Sequence, residues 1–272
     1  MSVSTAFAPI EIGRVALTVS DMPGMTAFYE SLLGLSRVSA DDTAVRLGAG
    51  DRVLLELRLD RAARRASPRE AGLFHTAFLM PSRPALAEWL VHASDSRVPL
   101  QGASDHLVSE AIYLTDPEGN GIEVYADRPR SAWHDADGHI NMGTERLDLN
   151  ALARDARGPW VGAPKGLVIG HVHLQVGDLA KAQAFYGDIL GLSVMARYPG
   201  ASFYGAGGYH HHLAANVWNS QGADARAVPV TGLADLELLA DPAQYVAITG
   251  RTGQSTFADP WGTAFTLTRK AA

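Results

Sequence analysis

The chain has 272 residues, 23 Lys and Arg against 29 Asp and Glu, a formal net charge of -6 and a pI near 5.9, so no global basic field exists to hold nucleic acid. It has no cysteine, which excludes disulfides, thiolate metal sites and cysteine nucleophiles and leaves the chemistry to His, Asp, Glu and Tyr. No apolar run approaches the roughly 18 residues of a membrane span, and Met1-Ser2-Val3-Ser4-Thr5 is not a cationic leader, so a cytoplasmic protein with no membrane partner is expected.

In chain order, Gly13-Arg14-Val15-Ala16-Leu17-Thr18-Val19 reads as a strand, followed by an Asp21-led helix with Ala27-Phe28-Tyr29 on its core face and Leu33-Gly34-Leu35 at its end. The same blocks return as Gly170-His171-Val172-His173-Leu174-Gln175-Val176, Asp178, Ala184-Phe185-Tyr186 and Leu190-Gly191-Leu192, at a constant offset of 157 residues (Gly13 to Gly170, Ala27 to Ala184, Leu33 to Leu190). A weaker pair follows each copy. Gly72-Leu73-Phe74-His75 with Asp116-Pro117-Glu118-Gly119 matches Gly232-Leu233-Ala234-Asp235 with Asp259-Pro260-Trp261-Gly262. Four modules result, at about 12–59, 72–127, 168–218 and 231–269, each predicted as β-α-β-β-β in an α+β fold. Two domains are expected, 1–127 and 166–272. The stretch 128–165, rich in Gly and Pro, reads as the linker, with one short helix near Leu147 to Ala153. The basic run from Arg61 to Arg69 reads as a solvated connection.

Within the second module, apolar alternation to Leu114, an Asp116-Pro117-Glu118-Gly119-Asn120-Gly121 turn and renewed alternation to Tyr125 predict a hairpin. Glu123 and Tyr125 share one face of it, with Ile122 and Val124 on the other. A carboxylate on a half-buried sheet face needs a proton, an arginine or a metal as partner.

The four-module pattern resembles the vicinal oxygen chelate superfamily of glyoxalase I, bleomycin-resistance proteins and extradiol dioxygenases, over nearly the whole chain. The resemblance implies two incompletely closed eight-stranded barrels, each from two modules, with ligands on first and last strands. The first-strand position is filled by Arg14, His75, His171 and Asp235 in modules one to four, and the last-strand position by Glu56, Glu123 and Thr266 in modules one, two and four. Only modules two and three are equipped. If they pair, His75, His171 and Glu123 form the two-imidazole, one-carboxylate set that leaves a face of iron(II) open.

Further motifs resemble extradiol enzymes: Asp105-His106-Leu107-Val108-Ser109, Tyr113 ten residues before Glu123, and a His-His pair in Tyr209-His210-His211-His212-Leu213, read as the last strand of module three. This implies His211 as acid-base histidine, Tyr113 as hydrogen-bond partner of a substrate oxygen and His106 as a third catalytic group. It also implies an Fe(II) cofactor, with Mn(II) as the alternative, and an aromatic diol with O2 as substrates. A homo-oligomer is compatible with this reading. Strand parity sends His210 and His212 away from His211; His173, Asn216, Trp218 and Tyr125 are expected as walls, and His92, His134 and His139 as structural or surface residues. Two other readings stay open. Pairing of modules one and two would gather Glu56, His75 and Glu123 into a glyoxalase-like isomerase site, against which the cationic Arg14 argues. A metal-free binding or resistance protein is the other.

Overall fold

A computed structural model describes residues 8–271; the stretch Met1 to Thr5 lies outside them. The first module contains β1 (Ile10–Val19), α1 (Met22–Leu33), β2 (Ser36–Ala40), β3 (Ala44–Ala49) and β4 (Arg52–Leu59). The second contains β5 (Gly72–Leu79), α2 (Arg83–Asp95), β6 (Gly102–Asp105), β7 (Ser109–Thr115) and β8 (Gly121–Asp127). Between the halves lie β9 (Glu145–Arg146) and α3 (Leu149–Ala153). The third module has β10 (Val168–Gln175), α4 (Leu179–Ala182), β11 (Ser193–Tyr198), β12 (Ala201–Gly205) and β13 (Leu213–Asn216); the fourth has β14 (Gly232–Ala240), α5 (Pro242–Thr252), β15 (Thr256–Ala258) and β16 (Ala264–Arg269).

Aspartates cap three of the helices: the repeated Asp21 accepts from Gly24 N and Asp178 from Ala180 N and Lys181 N, and Asp241 accepts from Gln244 N. Gly34 ends α1 in the left-handed region at φ 62°, a conformation that favours glycine. α4 differs from its counterpart α1, continuing as a π-helix over Gln183–Ile189, which the repeat does not predict.

Two curled, open sheets form. One has the order β15-β16-β14-β1-β4-β3-β2 and the other β11-β12-β13-β10-β5-β8-β7-β6-β9. Each draws a module from either half of the chain, joined through the antiparallel pairs β1 with β14 and β5 with β10. The strand counts are seven and nine, not eight and eight. Module four keeps two strands after its helix instead of three, because the segment between α5 and β16 is too short for another; β9 adds an edge strand to the larger sheet.

Modules that are neighbours in sequence are held by a different bond. Tyr29 donates to Asp116 at 2.9 Å, and the repeated Tyr186 donates to Asp259 at 2.7 Å, so each helix tyrosine is fastened to the aspartate of the next module's turn. Those aspartates also order their own turns, Asp116 accepting from the backbone of Glu118 and Asn120 and Asp259 from that of Trp261 and Thr263. One apolar core, including Ile12, Leu17, Phe78, Ile122, Val124, Val172, Leu236 and Phe265, runs through both halves. It takes the Ile122 and Val124 face of β8 and leaves the Glu123 face to the concave side.

A candidate metal centre in a deep cavity

Strand register brings the site together. On β5, Ala77 is flanked by His171 of the antiparallel β10 and by Glu123 of the parallel β8, while His75 lies two residues along the same face. Gly121 lies beside His75, and a Cβ on it would come 2.0 Å from the Phe74 carbonyl oxygen, so only glycine lets β8 lie this close. His75 Nε2 is 3.0 Å from Glu123 Oε2, His171 Nε2 is 3.2 Å from the same oxygen, and the two imidazole nitrogens are 3.3 Å apart. Neighbouring ligands at about 2.1 Å on one octahedral ion are about 3.0 Å apart, so the donor set fits a divalent cation.

All three side chains are buried. Burial pulls His171 down to about 4, outweighing the opposite pull of Glu123, so its imidazole is neutral near pH 7 and able to ligate. Burial pushes the Glu123 carboxyl up, but His171 and His75 more than offset it and hold the group well below its ordinary value. His171 Nδ1 is buried without a hydrogen-bond partner.

Two hydrogen-bonded chains surround the triad. Asp127 accepts from His210 Nε2 at 2.9 Å, and His210 Nδ1 lies 2.8 Å from His211 Nδ1. With Asp127 accepting the Nε2 proton of His210, the tautomer that completes the chain has His210 Nδ1 accepting from His211 Nδ1, which leaves the lone pair of His211 on Nε2. The His211 ring packs 4.1 Å from that of His171, and burial holds its pKa well below the ordinary value, helped by the neighbouring His171 and His210. In the second chain, the Gly143 carbonyl accepts from His106 Nδ1 at 2.7 Å, which leaves Nε2 to accept from the Tyr113 hydroxyl at 2.6 Å. Burial, with the nearby Glu123 carboxylate, raises the Tyr113 phenol well above its usual value and keeps it neutral.

The triad, His211, Tyr113 and His106 all line one cavity of about 680 Å³. His173 and Trp218 also line it, whereas Asn216 and Tyr125 stand behind the wall: Asn216 bonds His173 at 3.0 Å, and Tyr125 packs on His171 with its hydroxyl against that of Tyr209. The three consecutive histidines are not on a strand, as expected from sequence, but in the bend entering β13; His210 and His212 are wholly buried away from the cavity. The basic run is not a bare connection either. Ala66, Ser67 and Pro68 line the cavity, and Arg65 reaches Glu118 at 3.2 Å. His92 bonds Ser31 O on the helix surface, while His134 and His139 are exposed. His139 groups with Asp135 and Asp137, but Asp135 is occupied in organising that turn's backbone. Sequence reading missed Asp127, the Gly143 carbonyl and Arg226. The first ends β8 and carried no motif; the other two come from loops without any periodic signal.

Glu56 is elsewhere. It lies on β4 of the smaller sheet, where it accepts from Arg14 at 2.8 Å, Arg46 at 3.1 Å and Arg58 at 2.6 Å; Arg14 also holds Asp235 at 3.1 Å, and Thr266 donates to Asp235 at 2.9 Å. A Glu56, His75 and Glu123 site is therefore overturned by the strand order.

Paired β-α-β-β-β modules thus place a buried group of two histidines and one carboxylate at the head of a cavity, a group able to hold a metal ion. A family model for the Glyoxalase/Bleomycin resistance protein/Dioxygenase superfamily matches residues 11–124 and 168–241, and the chain belongs to that superfamily. It is 40% identical over 228 residues to a catechol-2,3-dioxygenase of Bacillus subtilis strain 168, covering 82% of this chain and 80% of the relative. Among solved structures, a putative dioxygenase from Bacillus subtilis superposes with a TM-score of 0.66 at 14% identity, covering 96% of this chain and 86% of the other. Glyoxalase I from Zea mays superposes with a TM-score of 0.57 at 14% identity, covering 95% and 92%. At these identities the structural likenesses speak for the fold. No helix among the described residues is long and apolar enough to cross a membrane.

Proposed function

We propose that the chain is an extradiol dioxygenase that cleaves a catechol-type ring beside its two hydroxyls, with His75, His171 and Glu123 holding iron(II). The observation that carries this reading is the convergence of two imidazoles and one carboxylate, all within 3.3 Å, in a cavity large enough for an aromatic substrate. The 40% identity to a catechol-2,3-dioxygenase supports it.

Iron(II) held by His75, His171 and Glu123 would supply Lewis-acid and redox chemistry toward a diol and dioxygen. The protein's own residues do the rest. His211, with its lone pair on Nε2, takes a proton from the diol and returns it as the ring opens. Tyr113 donates its O–H to His106 in a hydrogen bond and so turns an acceptor lone pair toward a substrate hydroxyl, holding the ring in one orientation. Phe74, Phe203 and Trp218 supply flat apolar contacts for the ring. One ring carbon–carbon bond breaks, and both atoms of O2 enter the product.

Anaerobic reconstitution with iron(II), followed by catechol and air, tests the proposal. The expected result is one iron per chain and a yellow ring-opened semialdehyde. Iron uptake without ring opening, or isomerisation of a hemithioacetal instead, contradicts it.

A further inference from the structure

One charged group of the cavity has no part in this chemistry. Arg226 lies in the loop before β14, and its guanidinium reaches the cavity at the end away from the triad. Nη2 donates to the Leu233 carbonyl at 2.6 Å, and among the described residues Arg226 forms no ion pair. The guanidinium lies across Gly72 and Gly232, the first residues of the repeated strands β5 and β14; a Cβ on either would come within 3.0 and 3.4 Å of Nη1. A side chain at Gly72 would therefore crowd the guanidinium, whereas one at Gly232 would only touch it.

The carboxylates at that end are already engaged. Glu70 pairs with Arg64 and accepts from Ser67 N at 2.8 Å, while Glu118 accepts from Ser20 N, Ser20 Oγ and Asp21 N, each at 2.9 Å, and faces Arg65. Glu70 and Asp259 act on Arg226 through space without bonding it, and burial still draws its pKa down, as for a cation short of compensation.

The span is long. His171 and Gln175 face the cavity from one strand four residues apart, a distance of about 13 Å. Gln175 pairs with Gly72, under the guanidinium, and Leu73 and Phe74 separate the two ends along β5. A bare diol ring at the triad leaves this end unfilled.

We propose that Arg226 is a second substrate anchor, and that the site takes aromatic diols bearing an apolar chain that ends in a carboxylate, which pairs with the guanidinium. This rests on the diol reading above. A half-buried guanidinium with free N–H donors binds a carboxylate bidentately, at a strength a neutral ester does not match.

The test uses the full iron-loaded chain and catechols carrying alkyl chains of increasing length, each as the ω-carboxylate and as its methyl ester. At the best length, kcat/KM for the acid should exceed that for the ester by at least about ten-fold, and Arg226→Met should bring the ratio to near one while Arg226→Lys retains part of it. Reading a ratio cancels any general loss through misfolding. Equal values for acid and ester in the unaltered protein, or an undiminished ratio in Arg226→Met, overturn the anchor. Bare catechol is run alongside: if it is not cleaved, the diol reading beneath the proposal fails instead. Anaerobic binding of the same acid to the iron-free protein, followed by tryptophan fluorescence, tests the anchor separately, since the dissociation constant should rise at least about ten-fold in Arg226→Met and an unchanged constant sinks it.

Discussion

The two sheets carry the same positions and fill them differently. In the larger, Ala77 is flanked by His171 and Glu123, with His75 two residues away; in the smaller, Ala16 is flanked by Asp235 and Glu56, with Arg14 two residues away. Each places a carboxylate on a buried concave face, where a cation must compensate it. In the smaller sheet the Arg14 guanidinium supplies that charge from within the chain, at 2.8 Å from Glu56 and 3.1 Å from Asp235. In the larger, no arginine or lysine among the described residues stands beside Glu123; two imidazoles surround it instead. The fold sets the register, and the residue types at the slots decide whether a cation is built in or, as proposed for the larger sheet, bound.

The largest expected effect comes from breaking the larger sheet's set. Glu123→Gln keeps the shape and removes the anion; iron per chain should fall from one to near zero and ring cleavage by at least about a thousand-fold, measured by metal analysis and oxygen uptake. The matching change, Arg14→Met, leaves Glu56 and Asp235 without their shared cation. It should cost about 2–4 kcal/mol in denaturant unfolding, less than a full buried-charge loss because Arg46 and Arg58 still hold Glu56, while iron content stays at one per chain. A loss of iron in Arg14→Met would show that the sheets are not separate in function.

A smaller effect is expected from Tyr113→Phe and His106→Ala, each lowering kcat about 10- to 100-fold. Because they share one hydrogen bond, the double variant should be little worse than either, and multiplicative losses would show independent roles. The smallest effect is on stability against pH in the iron-free chain. Burial gives His171 a folded pKa of about 4, below its ordinary 6.5, so the unfolded chain takes up the proton first as pH falls. Stability should be flat above pH 6.5 and decline from there toward pH 4, and the decline should be shallower in His171→Leu. Thermal unfolding across that range checks it.

The positions that converge in the cavity were legible because a β-strand repeats every two residues and the 157-residue repeat fixes which residue of each copy faces it. The Asp-Pro-x-Gly turn and the helix tyrosine were visible as motifs, but their bond to each other, Tyr29 to Asp116 and Tyr186 to Asp259, is a contact no local pattern announces. The exchange of partners between modules has no local signal either, and enters sequence reading only through the residue types at the slots. Module four's missing strand, the bend holding His210 to His212, the Gly143 carbonyl and Arg226 all belong to loops, where neither periodicity nor composition fixes direction.

A crystal of the iron-loaded protein, measured at the iron absorption edge, tests the central claim most directly. The account predicts one anomalous peak within about 2.2 Å of His75 Nε2, His171 Nε2 and a Glu123 carboxylate oxygen, and none beside Arg14. A peak bound instead at the exposed Asp135, Asp137 and His139 turn, or no peak at the larger sheet's triad at full activity, would contradict it.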